Sequence, residues 1–76
     1  MDKVKEYVQE VLMHLDNGDF MSSYSLFESN VRPMIDELDQ DDEFVKMLIQ
    51  QRSNIDNEDW ATTIEFAEEI KKALND

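Results

Sequence analysis

Residues 2–16 read DKVKEYVQEVLMHLD, and the apolar residues in this stretch recur at the spacing of one face of an α-helix. Counted from the first of them, they fall at i, i+3, i+4, i+7, i+8 and i+11: Val4, Tyr7, Val8, Val11, Leu12 and Leu15. Asp2 is suited to cap the start of this helix, and Gly18 is suited to the left-handed residue that often ends one. The pattern predicts an amphipathic helix over residues 2–16.

The next stretch, residues 19–38, keeps helical spacing but contains the single proline of the chain. Asp19 is suited to cap it, and its apolar positions are Phe20, Tyr24, Phe27, Val31, Met34 or Ile35, and Leu38. Pro33 has no amide hydrogen, and its ring clashes with the carbonyl group four residues earlier in an α-helix. We therefore expect a second helix that is kinked or divided near Pro33, at residues 30–32.

The second half of the chain has the pattern of two further helices. Asp41 or Asp42 would cap the first of them, which runs to about Arg52. Its apolar residues spread widely, as is typical of a helix contacted on two sides: Phe44, Val45, Met47, Leu48 and Ile49. Asp56 or Asn57 would cap the last helix. Its predicted buried face comprises Trp60, Thr63, Phe66, Ala67, Ile70, Ala73 and Leu74.

The fold class follows from these four segments. No alternating strand pattern and no repeat of fixed period stands out along the chain. We predict an all-α fold, a small bundle of about four helices that forms a single acidic domain over residues 1–76.

The turn between the first two segments also has a family resemblance. Gly18-Asp19-Phe20, followed by Leu26-Phe27, is similar to the helical hairpin of tetratricopeptide-type repeats. The resemblance covers less than half of the chain, and the small residues of that repeat are missing. It implies a helix–turn–helix arrangement for the first two helices.

Composition excludes several classes of protein. The 76 residues include 19 Asp and Glu against 7 Lys and Arg, a net charge of −12, so direct binding to nucleic acid or to an anionic membrane is not expected. No stretch approaches the roughly 18 apolar residues of a membrane span, and the N-terminus lacks the layout of a signal peptide. The chain has no cysteine, which favours the cytoplasm.

Motifs for catalysis or metal binding are weak. The nearest EF-hand register uses Asn54, Asp56, Glu58 and Glu65, but Asp59 stands where that loop needs glycine. His14 is the single histidine, and no nucleophile elbow or phosphate-binding loop accompanies the serines. We predict no metal site, no cofactor and no enzymatic activity, and we keep a divalent-cation binder as the weakest of three hypotheses.

Acidic residues cluster in two places along the chain. Within residues 36–43, 6 of 8 residues are acidic: Asp36, Glu37, Asp39, Asp41, Asp42 and Glu43. A second group comprises Glu58, Asp59, Glu65, Glu68 and Glu69. Like charges at this density oppose folding, whereas they speed encounter with a basic partner. These two groups are therefore our candidate partner-binding residues.

Apolar residues at the edges of the helical stripes are candidate anchors for a partner. Leu26, Met34 and Met47 are the three that we select for this role. Further edge residues are Met13, Met21 and Ile64, and the chain has five methionines, which make adaptable contacts.

Together these features predict a non-enzymatic binding protein that docks on a basic surface of a partner protein and inhibits or regulates it. Where that surface binds nucleic acid, the carboxylates would act as a mimic of the phosphates. Phage anti-defence factors, antitoxins and immunity proteins have this general character. The alternative is a small structural or assembly domain, a homodimer formed through its Met- and Phe-bearing faces.

Overall fold

The computed structural model describes residues 1–75 and places all regular structure in helices. They are α1 (Asp2–Asp16), α2 (Phe20–Leu26), a π-helical segment (Phe27–Val31), α3 (Arg32–Ile35), α4 (Glu43–Asp56) and α5 (Trp60–Asn75). Because α2, the π-helical segment and α3 follow one another directly, the described residues form four continuous helices. The prediction of an all-α fold with about four helices is confirmed.

The helices are grouped into two compact units, Met1–Leu38 and a second one that begins at Asp39. In the first unit α1 packs against α2 and against the π-helical segment. In the second unit α4 packs against α5. Each unit is therefore a helical hairpin, and we refer to them as the first and second hairpins. The single domain over residues 1–76 stays a prediction.

The core of the first hairpin consists of two rows of buried side chains at four-residue intervals. On α1 they are Val4, Val8 and Leu12, and along the second helical run they are Phe27, Val31 and Ile35. Side chains four residues apart lie on the same face of a helix, so each row faces one direction. Complete burial of an aliphatic side chain of this size contributes about 1.5–3 kcal/mol.

The second hairpin buries polar as well as apolar groups. Its apolar core comprises Phe44, Val45, Leu48, Ile55, Ala67 and Ile70. Among these lies a buried amide pair, Gln51 and Asn54. The side-chain amide of Gln51 donates to the carbonyl oxygen of Thr63 on α5 at 2.8 Å, and that of Asn54 donates to Gln51 Oε1 at 3.1 Å. These bonds satisfy the amides and link α4 to α5.

Pro33 does not divide the second helix. The distortion that its ring requires lies just upstream, in the π-helical segment, where the amide of Arg32 donates to the carbonyl of Phe27 five residues earlier. A π-helical turn contains more residues than an α-helical one, so the backbone near Pro33 is free of the clash that a regular ladder would impose. The predicted irregularity near Pro33 is thus a π-helical interruption, after which the α-helix starts again at Arg32.

The two hairpin turns have the same backbone conformation, 40 positions apart in the sequence. Residues 15–20 read LDNGDF and residues 55–60 read IDNEDW. Asn17 has φ −85° and ψ 4°, and Asn57 has φ −86° and ψ 2°. The next residue is left-handed in both turns, with φ 77° at Gly18 and φ 55° at Glu58. The turn is therefore a structural repeat, although no repeat is predicted from the sequence.

Each turn ends in an aspartate that caps the following helix. Asp19 Oδ1 accepts from the amide of Ser22 at 3.1 Å, and Asp59 Oδ1 accepts from the amide of Thr62 at 3.3 Å. Hydrogen bonds from the side chain and the amide of Ser22 lower the pKa of the Asp19 carboxyl group. The last helix is thus capped by Asp59, and the prediction that Asp56 or Asn57 caps it is wrong.

The left-handed residue of each turn allows a matched test. A Cβ at Gly18 would meet no atom within 4 Å, so only its positive φ opposes a side chain there. We expect Gly18→Ala to lower the free energy of unfolding by about 1 kcal/mol. We expect Glu58→Gly to raise it by about 0.5 kcal/mol, because the relief of left-handed strain outweighs the added freedom of glycine in the unfolded chain.

Urea denaturation measures both changes, and Glu58→Gln is the control because it removes the same charge and keeps the side chain. A Glu58→Gly protein no more stable than Glu58→Gln would contradict this account of the turn.

Candidate functional site

The acidic side chains lie almost entirely on the surface. Of the 18 Asp and Glu residues among residues 1–75, 16 are exposed, and the other two, Glu28 and Asp42, are half-buried. Most of the negative charge on the described residues is therefore presented to solvent. Neighbouring bases neutralise part of it through exposed pairs such as Lys3–Glu6, at 4.0 Å, and exposed pairs of this kind contribute little to stability.

Asp39, Asp42 and Glu43, three acids of the 36–43 group, take part in local structure or ion pairing. Asp39 Oδ1 accepts from the amide of Asp41 at 3.0 Å, a bond that shapes the turn before α4. Asp42 Oδ1 accepts from the amides of Phe44 at 2.8 Å and Val45 at 3.3 Å, so Asp42 is the N-cap of α4. Glu43 Oε1 lies 3.6 Å from Lys46 Nζ.

Glu37 and Asp41 are exposed acids of this group whose carboxylates neither cap a helix nor shape a turn. Within the described residues the carboxylates of Glu37 and Asp41 form no hydrogen bond and no ion pair. They are the members of the 36–43 group best placed to bind a partner at no loss of internal structure. Asp42 is half-buried and structural, so its candidate role as a binding residue is the weakest of the six.

The second acidic group is divided between a turn and the face of α5. Glu58 is the left-handed residue of the turn, and Asp59 is the cap of α5. Glu65, Glu68 and Glu69 follow on α5 and are exposed. Glu69 lies 3.5 Å from Lys72, whereas the carboxylates of Glu65 and Glu68 have no such partner among the described residues. The structure therefore brings together only the last three of the five.

The apolar anchors that we selected are less accessible than their neighbours. Leu26, Met34 and Met47 are each half-buried. The large apolar side chains that solvent reaches most are elsewhere: Met13 at 53%, Met21 at 68%, Ile64 at 48%, Met1 at 41% and Trp60 at 38%. Trp60 belongs to the predicted buried face of the last helix, and for this residue the prediction is wrong.

Helical spacing gives no signal that Trp60 is exposed. Trp60 directly follows the cap Asp59, as Phe20 directly follows the cap Asp19. Phe20 is nevertheless half-buried, whereas Trp60 is 38% exposed. The position after the cap therefore does not decide the exposure, and only the structure identifies Trp60 as a surface residue.

Groups that could hold a metal ion do not converge in the described part of the chain. Within residues 1–75, no three His, Asp or Glu side chains are arranged as ligands. In the candidate calcium register Asn54 is buried and bonded to Gln51, and Glu58 belongs to the turn. A shallow open groove on α1 is lined by Glu6, Gln9, Glu10 and Met13.

Comparison with models of known protein families, with curated proteins and with solved structures finds no match to this chain. None of the described helices combines the length and the hydropathy that crossing a membrane requires. The interpretation of the surface therefore depends on the geometry of its own residues.

The division of the acids into structural and unpaired residues can be tested with two matched variants. We expect Asp42→Ala to lower the free energy of unfolding by about 1 kcal/mol, because the amides of Phe44 and Val45 lose their acceptor. Asp41→Ala removes the same charge from the neighbouring residue and should change stability by less than about 0.5 kcal/mol. Urea denaturation of both variants is the measurement, and equal losses would contradict the assignment of the cap.

Proposed function

We propose that this protein is a non-enzymatic binding protein that docks on a basic surface of a partner protein and inhibits or regulates that partner. The observation that carries the proposal is the exposure of nearly all of its acidic side chains, 16 of the 18 described. Several of them, Glu37, Asp41, Glu65 and Glu68, have no internal ion pair or hydrogen bond to give up on binding.

An acidic surface of this kind attracts basic partners by electrostatic interaction. A field of one sign raises the association rate with an oppositely charged partner by one to three orders of magnitude. The same field disfavours anionic surfaces, and it also opposes folding through self-repulsion. Some acids cap helices, but Glu37, Asp41, Glu65 and Glu68 neither cap a helix nor pair with a base among the described residues, and their repulsion is consistent with selection for binding.

Nucleic-acid mimicry is the form of this function that fits a partner whose basic surface binds DNA or RNA. Lys and Arg side chains that contact phosphates can contact carboxylates through the same charge-assisted hydrogen bonds. The protein would then occupy the partner's site and exclude its nucleic acid. We place this activity in the cytoplasm, because the chain has no cysteine to form the disulfides common outside the cell.

Charge reversal at two unpaired acids tests the proposal. The variant Glu37→Lys/Asp41→Lys spares the cap Asp42, and it should leave helicity unchanged by circular dichroism. The wild-type protein, immobilised and exposed to lysate of its native host at low salt, should retain one basic protein that elutes at a defined salt step. We expect the variant to bind that protein about tenfold more slowly at low salt, and the difference to shrink at about 0.5 M NaCl.

The matched control is Glu6→Lys/Glu10→Lys, which makes the same change in net charge on the exposed face of α1. A defined binding surface predicts a smaller effect for this control than for the first variant. A broad mixture of basic proteins, retained equally by the wild type and both variants, would contradict the proposal, since it would show only non-specific attraction.

The alternative function, an assembly domain, is favoured by one observation. Met13 and Met21 are 53% and 68% exposed, so their apolar side chains are accessible for contact with a second copy of the chain. Phe27 and Phe44 do not add to it, because they are buried within their own hairpins, and Phe20 and Phe66 are half-buried. For this alternative we expect Met21→Asp to dissociate a homodimer in sedimentation equilibrium and Glu37→Lys/Asp41→Lys to leave it intact. A wild-type protein that sediments as a monomer would contradict it.

A further inference from the structure

One row of side chains on α5 combines exposed apolar and acidic groups. Trp60, Ile64 and Glu68 follow at four-residue intervals, so they lie along one side of the helix, with Glu65 beside them. Trp60 is 38% exposed and Ile64 is 48% exposed. The residues of α5 that are buried, Thr63, Ala67 and Ile70, form a different row. We call Trp60, Ile64, Glu65 and Glu68 the α5 face.

The carboxylates of the α5 face have no internal partner. Glu65 and Glu68 form no ion pair or hydrogen bond with a side chain among the described residues, whereas the adjacent Glu69 lies 3.5 Å from Lys72. A cation brought by another molecule would therefore not have to displace an existing ion pair. The apolar and acidic halves of the α5 face are both available to a partner.

The equivalent positions of the first hairpin are occupied differently. Phe20 and Tyr24, which correspond to Trp60 and Ile64 in the repeated turn, are half-buried and stack on each other with ring centroids 6.3 Å apart. Glu28, which corresponds to Glu68, is paired with Arg32. The side chains at these positions are half-buried in the first hairpin and exposed in the second, which marks the α5 face as a specific feature.

Charge determines which occupant the α5 face fits. A second copy of the chain in a symmetric contact would bring Glu65 and Glu68 against the same carboxylates, and nucleic acid or anionic lipid would be repelled. A helix that carries Lys or Arg beside apolar residues would place cations on the two glutamates and apolar groups on Trp60 and Ile64. The row spans about two helical turns, or roughly 12 Å, which matches the contact length of two crossing helices.

We propose that the α5 face is the docking site for a basic amphipathic helix of the partner protein, with Trp60 and Ile64 as its apolar anchors and Glu65 and Glu68 as its cation acceptors. This inference rests on the proposed function and adds the place of contact and the chemistry of the partner. Tryptophan is enriched among the residues that dominate binding energy, which suits the role of Trp60.

The test uses two synthetic peptides as probes. The first is a helix of about 18 residues made of Leu and Lys, with the Leu on one face, and the second has the same number of Lys with every Leu replaced by Ser. Trp60 is the single tryptophan of the chain, so its fluorescence reports on the α5 face alone. We expect the Leu/Lys peptide to shift the Trp60 emission to shorter wavelength in a saturable manner, and the Ser/Lys peptide to leave it unchanged.

Variants then locate the contact. Ile64→Ser and Glu65→Lys/Glu68→Lys should each weaken binding of the Leu/Lys peptide about tenfold, measured by fluorescence anisotropy of a labelled peptide. Met13→Ser and Glu6→Lys/Glu10→Lys, the matched changes on α1, should weaken it less than about twofold, because the net charge alone does not define the site. The six residues changed in these four variants are all exposed, and circular dichroism verifies that each variant remains helical.

Three outcomes would overturn the inference. The first is that the Leu/Lys peptide binds without changing the Trp60 emission and binds the Ile64→Ser variant as tightly as the wild type. The second is that the two peptides bind equally well. The third is that neither peptide binds. None of them decides the proposed function, which the lysate experiment tests separately. A basic partner retained there by the wild type and by Ile64→Ser alike would support the acidic docking function and place its contact elsewhere.

Discussion

The hairpin turn is the constraint on which the described structure depends. In each hairpin a left-handed residue reverses the chain, and an aspartate directly after it satisfies the first free amides of the next helix. Without the reversal, α1 would not pack on α2, nor α4 on α5. The same aspartates belong to the acidic surplus of the chain, so the charge that opposes folding also contributes to the local structure that makes folding possible.

Much of the fold was accessible from the sequence because helical periodicity and capping are local signals. The row Val4, Val8 and Leu12 is buried as its spacing predicts, and Asp19 caps its helix as expected. The response to Pro33 was harder to foresee, since a proline defines what the backbone must avoid but not whether the chain breaks or widens by a π-helical turn. The buried amide pair of Gln51 and Asn54 depends on α5 for its acceptor, which periodicity in α4 does not reveal.

The candidate site was predictable in composition but not in detail. Sequence alone identifies the acids, yet only the structure distinguishes Asp42 from Asp41. The Asp42 carboxylate accepts hydrogen bonds from two backbone amides, and the Asp41 carboxylate accepts none. Likewise, helical spacing marks Trp60 as a core residue, whereas the structure leaves 38% of it exposed. Roles that depend on how a side chain meets a second element cannot be read from spacing, because spacing describes one element at a time.

The π-helical segment also changes the spacing between corresponding buried positions of the two hairpins. Upstream of it the buried positions correspond at an interval of 40, as for Ser23 with Thr63 and Phe27 with Ala67. Downstream the interval becomes 39, so that Val31 corresponds to Ile70. A π turn is what a helix forms when it accommodates one additional residue. The buried positions of the second helical run therefore match those of α5 with one additional residue, and a search at constant spacing would miss this correspondence.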